Sequence, residues 1–84
     1  MYNYIFKPQA LKDLKKLPKN IQKRIIKKLD FYCSTFNPLS FADSLIDFEI
    51  GQYRFRIGDY RVIFDLEEKT IIVLTLGHRR EIYK

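Results

Sequence analysis

The chain has 84 residues, 46% hydrophobic and 15% aromatic, which suits one folded domain with a single modest core and excludes a disordered chain. Sixteen Lys and Arg against ten Asp and Glu leave a net charge of +6, so polyanions or an acidic protein partner attract it whatever its fold. The lone cysteine, Cys33, excludes an intramolecular disulfide and a cysteine-based metal centre; with no signal-like leader and no membrane-length apolar run, a cytoplasmic protein is expected.

The first predicted element is a strand over 2–7, where Tyr2, Tyr4 and Phe6 alternate to one side. Pro8 suits the first turn of a helix, and Leu11, Leu14 and Leu17 recur at three-residue spacing until Pro18 breaks the segment. A longer helix is predicted over 19–36. Ile21, Ile25, Leu29 and Tyr32, flanked by Ile26, Cys33 and Phe36, form its apolar stripe, and Lys19, Lys23, Lys27 and Lys28 occupy the other face. Nine of the sixteen bases fall within residues 7 to 28. Asn37-Pro38 ends this helix, and 39–52 reads as a loop leading into a strand.

Two strand runs follow, "YRFRI" (53–57) and "YRVIFDL" (60–66), then a turn at "EEKT" and a further strand, "IIVLTL" (71–76). The order is β-α-α-β-β-β, a single α+β domain over 1–84 with an antiparallel sheet, a helical hairpin on one side and a short, helical C-terminal tail.

Gly58-Asp59 between the two strand runs predicts a two-residue type II′ turn. That turn sets Ile57 opposite Tyr60, Arg56 opposite Arg61, Phe55 opposite Val62 and Arg54 opposite Ile63. Opposed residues share a face. Tyr53, Phe55, Ile57, Tyr60, Val62, Phe64 and Leu66 therefore face the helices, and Arg54, Arg56 and Arg61 cluster on the other side. Arg56 opposite Arg61 is a like-charge pair that costs stability unless an anion intervenes. Two explanations stand: a solvated face neutralised by Asp65 and Glu49, or a guanidinium site shaped for phosphate.

The tail "GHRREIYK" sets His78 beside Arg79 and Arg80, with Tyr83 four residues after Arg79. Histidine is the residue type suited to acid–base work near neutral pH, so His78 is either an acid–base group or a capping residue; Tyr83 is either functional or a packing anchor. No Gly-rich phosphate loop or His/Cys metal set occurs, and Asp13, Asp30, Asp43 and Asp47 are scattered singly.

The hairpin "YRFRIGDYRVIFDL", the following "LGHRREIYK" and the opening "FKPQALKDLKKLPKNIQKRI" resemble the RelE/ParE superfamily of toxins from type II toxin–antitoxin systems, over nearly the whole chain. The RelE branch implies a ribosome-dependent endoribonuclease that cuts mRNA without metal or other cofactor, through attack of a ribose 2′-OH to give a 2′,3′-cyclic phosphate. It also implies an acidic, partly disordered antitoxin as partner in a toxin–antitoxin hetero-oligomer, besides the ribosome and mRNA, and no membrane. Carried over by motif, the resemblance implies RNA phosphate binding by Arg54, Arg56, Arg61 and Arg80. It likewise implies catalytic roles for Arg61, Arg79 and Tyr83, with His78 a second candidate for the base. Some relatives carry lysines at the first two sheet positions, where this chain has Arg54 and Arg56. The ParE branch shares the scaffold and implies inhibition of DNA gyrase without RNA cleavage.

Overall fold

A computed structural model describes residues 1–46 and 49–82. Strand β1 (Asn3–Phe6) leads into helices α1 (Pro8–Lys15) and α2 (Lys19–Ser34). A 3-10 turn (Pro38–Phe41) and strands β2 (Ala42–Ser44), β3 (Tyr53–Ile57), β4 (Tyr60–Glu67) and β5 (Thr70–His78) follow. Among the described residues the strands form one sheet in the order β1-β5-β4-β3-β2.

The α+β order is as expected, with two additions to the sheet. Strand β1 pairs with β5 in parallel, Asn3 with Thr70 through Phe6 with Val73, so the chain's first and last strands meet. Strand β5 thus has a neighbour on each side, which explains its nearly continuous apolar run. Strand β2 arises within the segment read as a loop; it pairs antiparallel with β3, Asp43 opposite Arg54. Three residues with no apolar alternation carry no strand signal of their own.

The two helices pack on one sheet face. Ala10, Leu14, Ile25, Leu29, Tyr32 and Cys33 meet Phe55, Ile57, Val62, Phe64, Ile71, Val73 and Leu76 in one buried cluster. Each large side chain in it contributes roughly 1.5–3 kcal/mol by leaving water. Two expected helix contacts differ. Leu11 is exposed and Ala10 buried, because steps of three residues turn only about 300° and drift off one face. Phe36, expected in the α2 stripe, is 100% exposed. The helix ends at Ser34, and Thr35 is extended at φ −83° and ψ 165°, so the helical period no longer governs Phe36.

A β-bulge interrupts the β4–β5 pairing between Ile63 and Phe64. Beyond the end of β1, the Asp13 carboxylate of α1 serves the bulged strand: its Oδ2 accepts the Thr75 hydroxyl at 2.6 Å and the Leu76 N–H at 3.3 Å. Asp13 therefore ties helix to sheet and is no stray surface charge. Tyr4 donates to Asp30 Oδ1 at 2.8 Å and joins β1 to α2 in the same way.

Burial, with the Asp30 carboxylate as hydrogen-bond acceptor and neighbouring charge, pushes the Tyr4 phenol up to about 12. An unfolded tyrosine ionises near 10. The neutral Tyr4 contribution is therefore complete below about pH 10 and is lost as pH rises towards about 12. Tyr4→Phe is expected to remove a step near pH 12 from the tyrosinate absorbance titration and to flatten the stability curve above pH 10.

Candidate functional site: a guanidinium row on the open sheet face

The β3–β4 hairpin adopts the register that its turn demands. Tyr53 pairs with Phe64, Arg54 with Ile63, Phe55 with Val62, Arg56 with Arg61 and Ile57 with Tyr60. Gly58 has φ +61°, the value required at the first turn position of type II′ and strained for any other residue. Phe55, Ile57, Val62 and Phe64 are buried against the helices, and Arg54, Arg56 and Arg61 stand on the opposite face. On β5 Gly77 continues the Arg56–Arg61 row. Among the described residues a Cβ there would meet only Ile82 Cδ1, at 3.9 Å, in ordinary van der Waals contact.

The opposite face is not wholly solvated. Ile63 lies on it fully buried, because the backbone of Gly51 crosses over Ile63 and Leu74. A Cβ on Gly51 would lie 2.6 Å from Ile63 Cγ2, so only glycine permits that approach. The arginines thus occupy the turn-proximal part of a face whose other part is covered.

The like-charge problem is solved by β2. Asp43 Oδ2 accepts Arg54 Nε at 3.3 Å and Nη2 at 3.0 Å, and the same oxygen lies 3.0 Å from Arg56 Nε. Arg61 turns the other way, Nη1 donating to the carbonyls of Gly58 at 2.9 Å and Tyr60 at 3.0 Å. Asp43, which the sequence marked only as a scattered carboxylate, supplies counter-charge to both. Asp65, expected to neutralise the cluster, instead accepts the Gln52 N–H at 2.9 Å. Partly exposed pairs of this kind contribute about 0.2–1 kcal/mol each, so they place the guanidinium groups more than they stabilise the fold.

The C-terminal segment folds back onto the same turn. Arg79 N–H donates to Asp59 O at 2.8 Å, and Arg79 Nε lies 3.7 Å from Asp59 Oδ1. Among the described residues Asp43 thus pairs with Arg54 and Arg56, Asp59 pairs with Arg79, and Arg61 is held by carbonyls alone. Arg80 is exposed beside them and makes no ion pair among the described residues.

His78 is not brought to the arginine face. It pairs with Tyr60, and its ring meets the Tyr60 ring edge-on at 5.5 Å, on the side of Ile57. Its Nδ1 accepts the Arg80 N–H at 3.1 Å, which places the proton of the neutral ring on Nε2. His78 therefore offers a donor rather than a free basic nitrogen. The expected helical tail amounts to a single turn among the described residues, with Ile82 N–H donating to His78 O at 3.0 Å. Tyr83 lies outside the described residues.

One further cation escaped the sequence reading. The Arg24 guanidinium of α2 occupies the space beside Gly58, 2.7 Å from where a Cβ would stand. Helix and turn are far apart in sequence, and no local spacing signals their contact.

A helical hairpin packed on one face of a short five-stranded sheet is the scaffold of the RelE/ParE toxins. A family model for the ParE toxin of type II toxin–antitoxin systems matches residues 4–83, and the chain belongs to that family. It is 34% identical to the toxin RelE3 of Methanocaldococcus jannaschii, with 94% of this chain and 92% of that protein covered. The toxin–antitoxin complex RelBE2 of Mycobacterium tuberculosis contains a chain with TM-score 0.76 and 28% identity, covering 93% of this chain and 98% of that one. The RelE–RelB complex of Pyrococcus horikoshii gives a TM-score of 0.72 at 30% identity, covering 95% and 97%.

Gly58→Ala is expected to destabilise the protein by about 1–2 kcal/mol, since a side chain resists φ +61°. A denaturant midpoint lowered with unchanged slope would report it.

Proposed function

We propose that this toxin is a ribosome-dependent mRNA endoribonuclease whose site is the Arg56–Arg61–Gly77 row with Arg54, Arg79 and Arg80 around it. The observation that carries the reading is that row: guanidinium groups directly opposed across a hairpin, on the sheet face away from the helices. Planar guanidinium forks match phosphate oxygens.

In the proposed reaction the ribose 2′-oxygen attacks the adjacent phosphorus. The bond to the 5′-oxygen breaks, leaving a 2′,3′-cyclic phosphate and a 5′-OH. Arg56 and Arg61 stabilise the charge on the pentacoordinate phosphorus, and Arg79 donates a hydrogen bond to the leaving 5′-oxygen, which takes its proton from solvent water. No step calls for a metal. Guanidinium groups do not deprotonate, so none of them is the base. Tyr83 takes the 2′-OH proton in this scheme. His78, with its Nδ1 engaged and its ring on the Tyr60 side of the sheet, offers no free basic nitrogen to this face.

The partner proposed is a cognate antitoxin, acidic and partly disordered, held in a hetero-oligomer. The basic outer face of α2 and the exposed Phe31 and Phe41 beside it support such a partner, as do relatives solved as complexes with RelB. A second reading rests on the match to the ParE family: a toxin that inhibits DNA gyrase and leaves RNA intact.

Purified protein is expected to cut ribosome-bound mRNA at codon-phased positions, with Arg61→Ala slower by about 10²-fold or more at unchanged thermal stability. Tyr83→Phe is expected to abolish cleavage as well. Intact mRNA together with inhibited gyrase supercoiling would favour the second reading.

A further inference from the structure

The ion pairs around Asp43 divide the three sheet arginines into two kinds. Asp43 and Arg54 are directly opposed across β2 and β3, and Arg56 is the next residue of β3 on that face. One carboxylate oxygen receives both guanidinium groups, but unequally. Arg54 is bound through two nitrogens and only 26% exposed, whereas Arg56 meets it through Nε alone and is 60% exposed. The terminal amino groups of Arg56 make no hydrogen bond or ion pair among the described residues.

Arg56 also faces Arg61 directly, on strands whose opposed side chains stand about 4.5–5.5 Å apart at Cβ. Repulsion across that distance would drive both guanidinium groups outward into water. Asp43 draws Arg56 towards β2, and the turn carbonyls of Gly58 and Tyr60 draw Arg61 towards the hairpin end. The two groups are held apart by fixed anchors, and the space between them is where a phosphate gains from both.

We propose that Asp43 is a positioning residue. Its carboxylate pins Arg56 by Nε so that the terminal amino edge meets the phosphate, and Arg54 braces Asp43 without touching RNA. This rests on the ribonuclease reading of the face and reassigns Arg54 from phosphate contact to support. The opposing possibility is that Asp43 only fills the seat of the phosphate and leaves when RNA arrives.

Arginine side-chain NMR of the full chain separates the two, with an all-2′-deoxy oligonucleotide as a probe that lacks the attacking hydroxyl. Without ligand, ordered Nε–H signals of Arg54 and Arg56 are expected in the wild type, and loss of the Arg56 signal in the near-isosteric Asp43→Asn at unchanged thermal melting. Adding the oligonucleotide to the wild type should shift Arg56 and Arg61 and leave Arg54 where it was. Asp43→Asn should bind the oligonucleotide at least as tightly, having one negative charge fewer, yet cut ribosome-bound mRNA about tenfold more slowly, as misplacement of a catalytic group does. Asp43→Glu should recover part of that rate.

Faster or unchanged cleavage by Asp43→Asn, or an Arg54 shift as large as that of Arg56, would overturn the proposal. If the wild type neither binds nor cuts, the ribonuclease reading falls. The ligand-free Arg56 signal in Asp43→Asn then still decides whether Asp43 holds that side chain.

Discussion

Everything at the site depends on the pairing register of one hairpin. Strand side chains alternate with a period of two, so a slip of one residue between β3 and β4 would exchange the two faces of one strand. Phe55 and Ile57 would then lose their core neighbours, or Arg61 would be driven among the helices. Gly58 at φ +61° closes a two-residue turn that keeps Arg56 opposite Arg61 and Phe55 opposite Val62. The apolar face enforces the same pairing independently, since four of its residues are at most 2% exposed. Turn chemistry and hydrophobic burial therefore select one register together, and the arginine row is its consequence on the other face.

That row is a conflict which the fold resolves with local anchors rather than with compensating charge in bulk. A sheet stabilises opposed residues of unlike charge, and here it sets Arg56 against Arg61. The answers come from three places: a carboxylate on the edge strand β2, two carbonyls of the turn, and Asp59, which receives Arg79 from the end of β5. Each anchor occupies only part of a guanidinium group, so donors remain for a ligand. A surface tuned only for stability would place lysine–glutamate pairs or threonines there; one suited to gripping phosphate keeps its cations and restrains their directions.

Legibility differed sharply between the two faces of the sheet. The core of β3 and β4, the positions of both helices and the clustering of Arg54, Arg56 and Arg61 follow from alternation, apolar spacing and a Gly-Asp turn, all of them local. The role of Asp43 was not legible. It stands in a three-residue strand without apolar pattern and meets Arg54 across eleven residues of chain. Asp13 is similar: a helix carboxylate that looks solvated until a bulged strand is placed beneath it. Arg24 touches the hairpin turn only because α2 crosses above Gly58. Phe36 failed in the opposite sense, since helical spacing was extended past the residue where the helix stops.

By itself the sequence determined the order of the elements other than β2, the face of each strand in the central hairpin and the presence of a guanidinium cluster. These depend on side-chain periodicity and turn stereochemistry, which act between near neighbours. Only the tertiary structure decided that β1 enters beside β5 in parallel, that one carboxylate holds two arginines apart from a third, and that His78 belongs to the Tyr60 side of the sheet. Those outcomes are set by which distant segments share the burial of one core, a sum over the whole chain that no local pattern encodes.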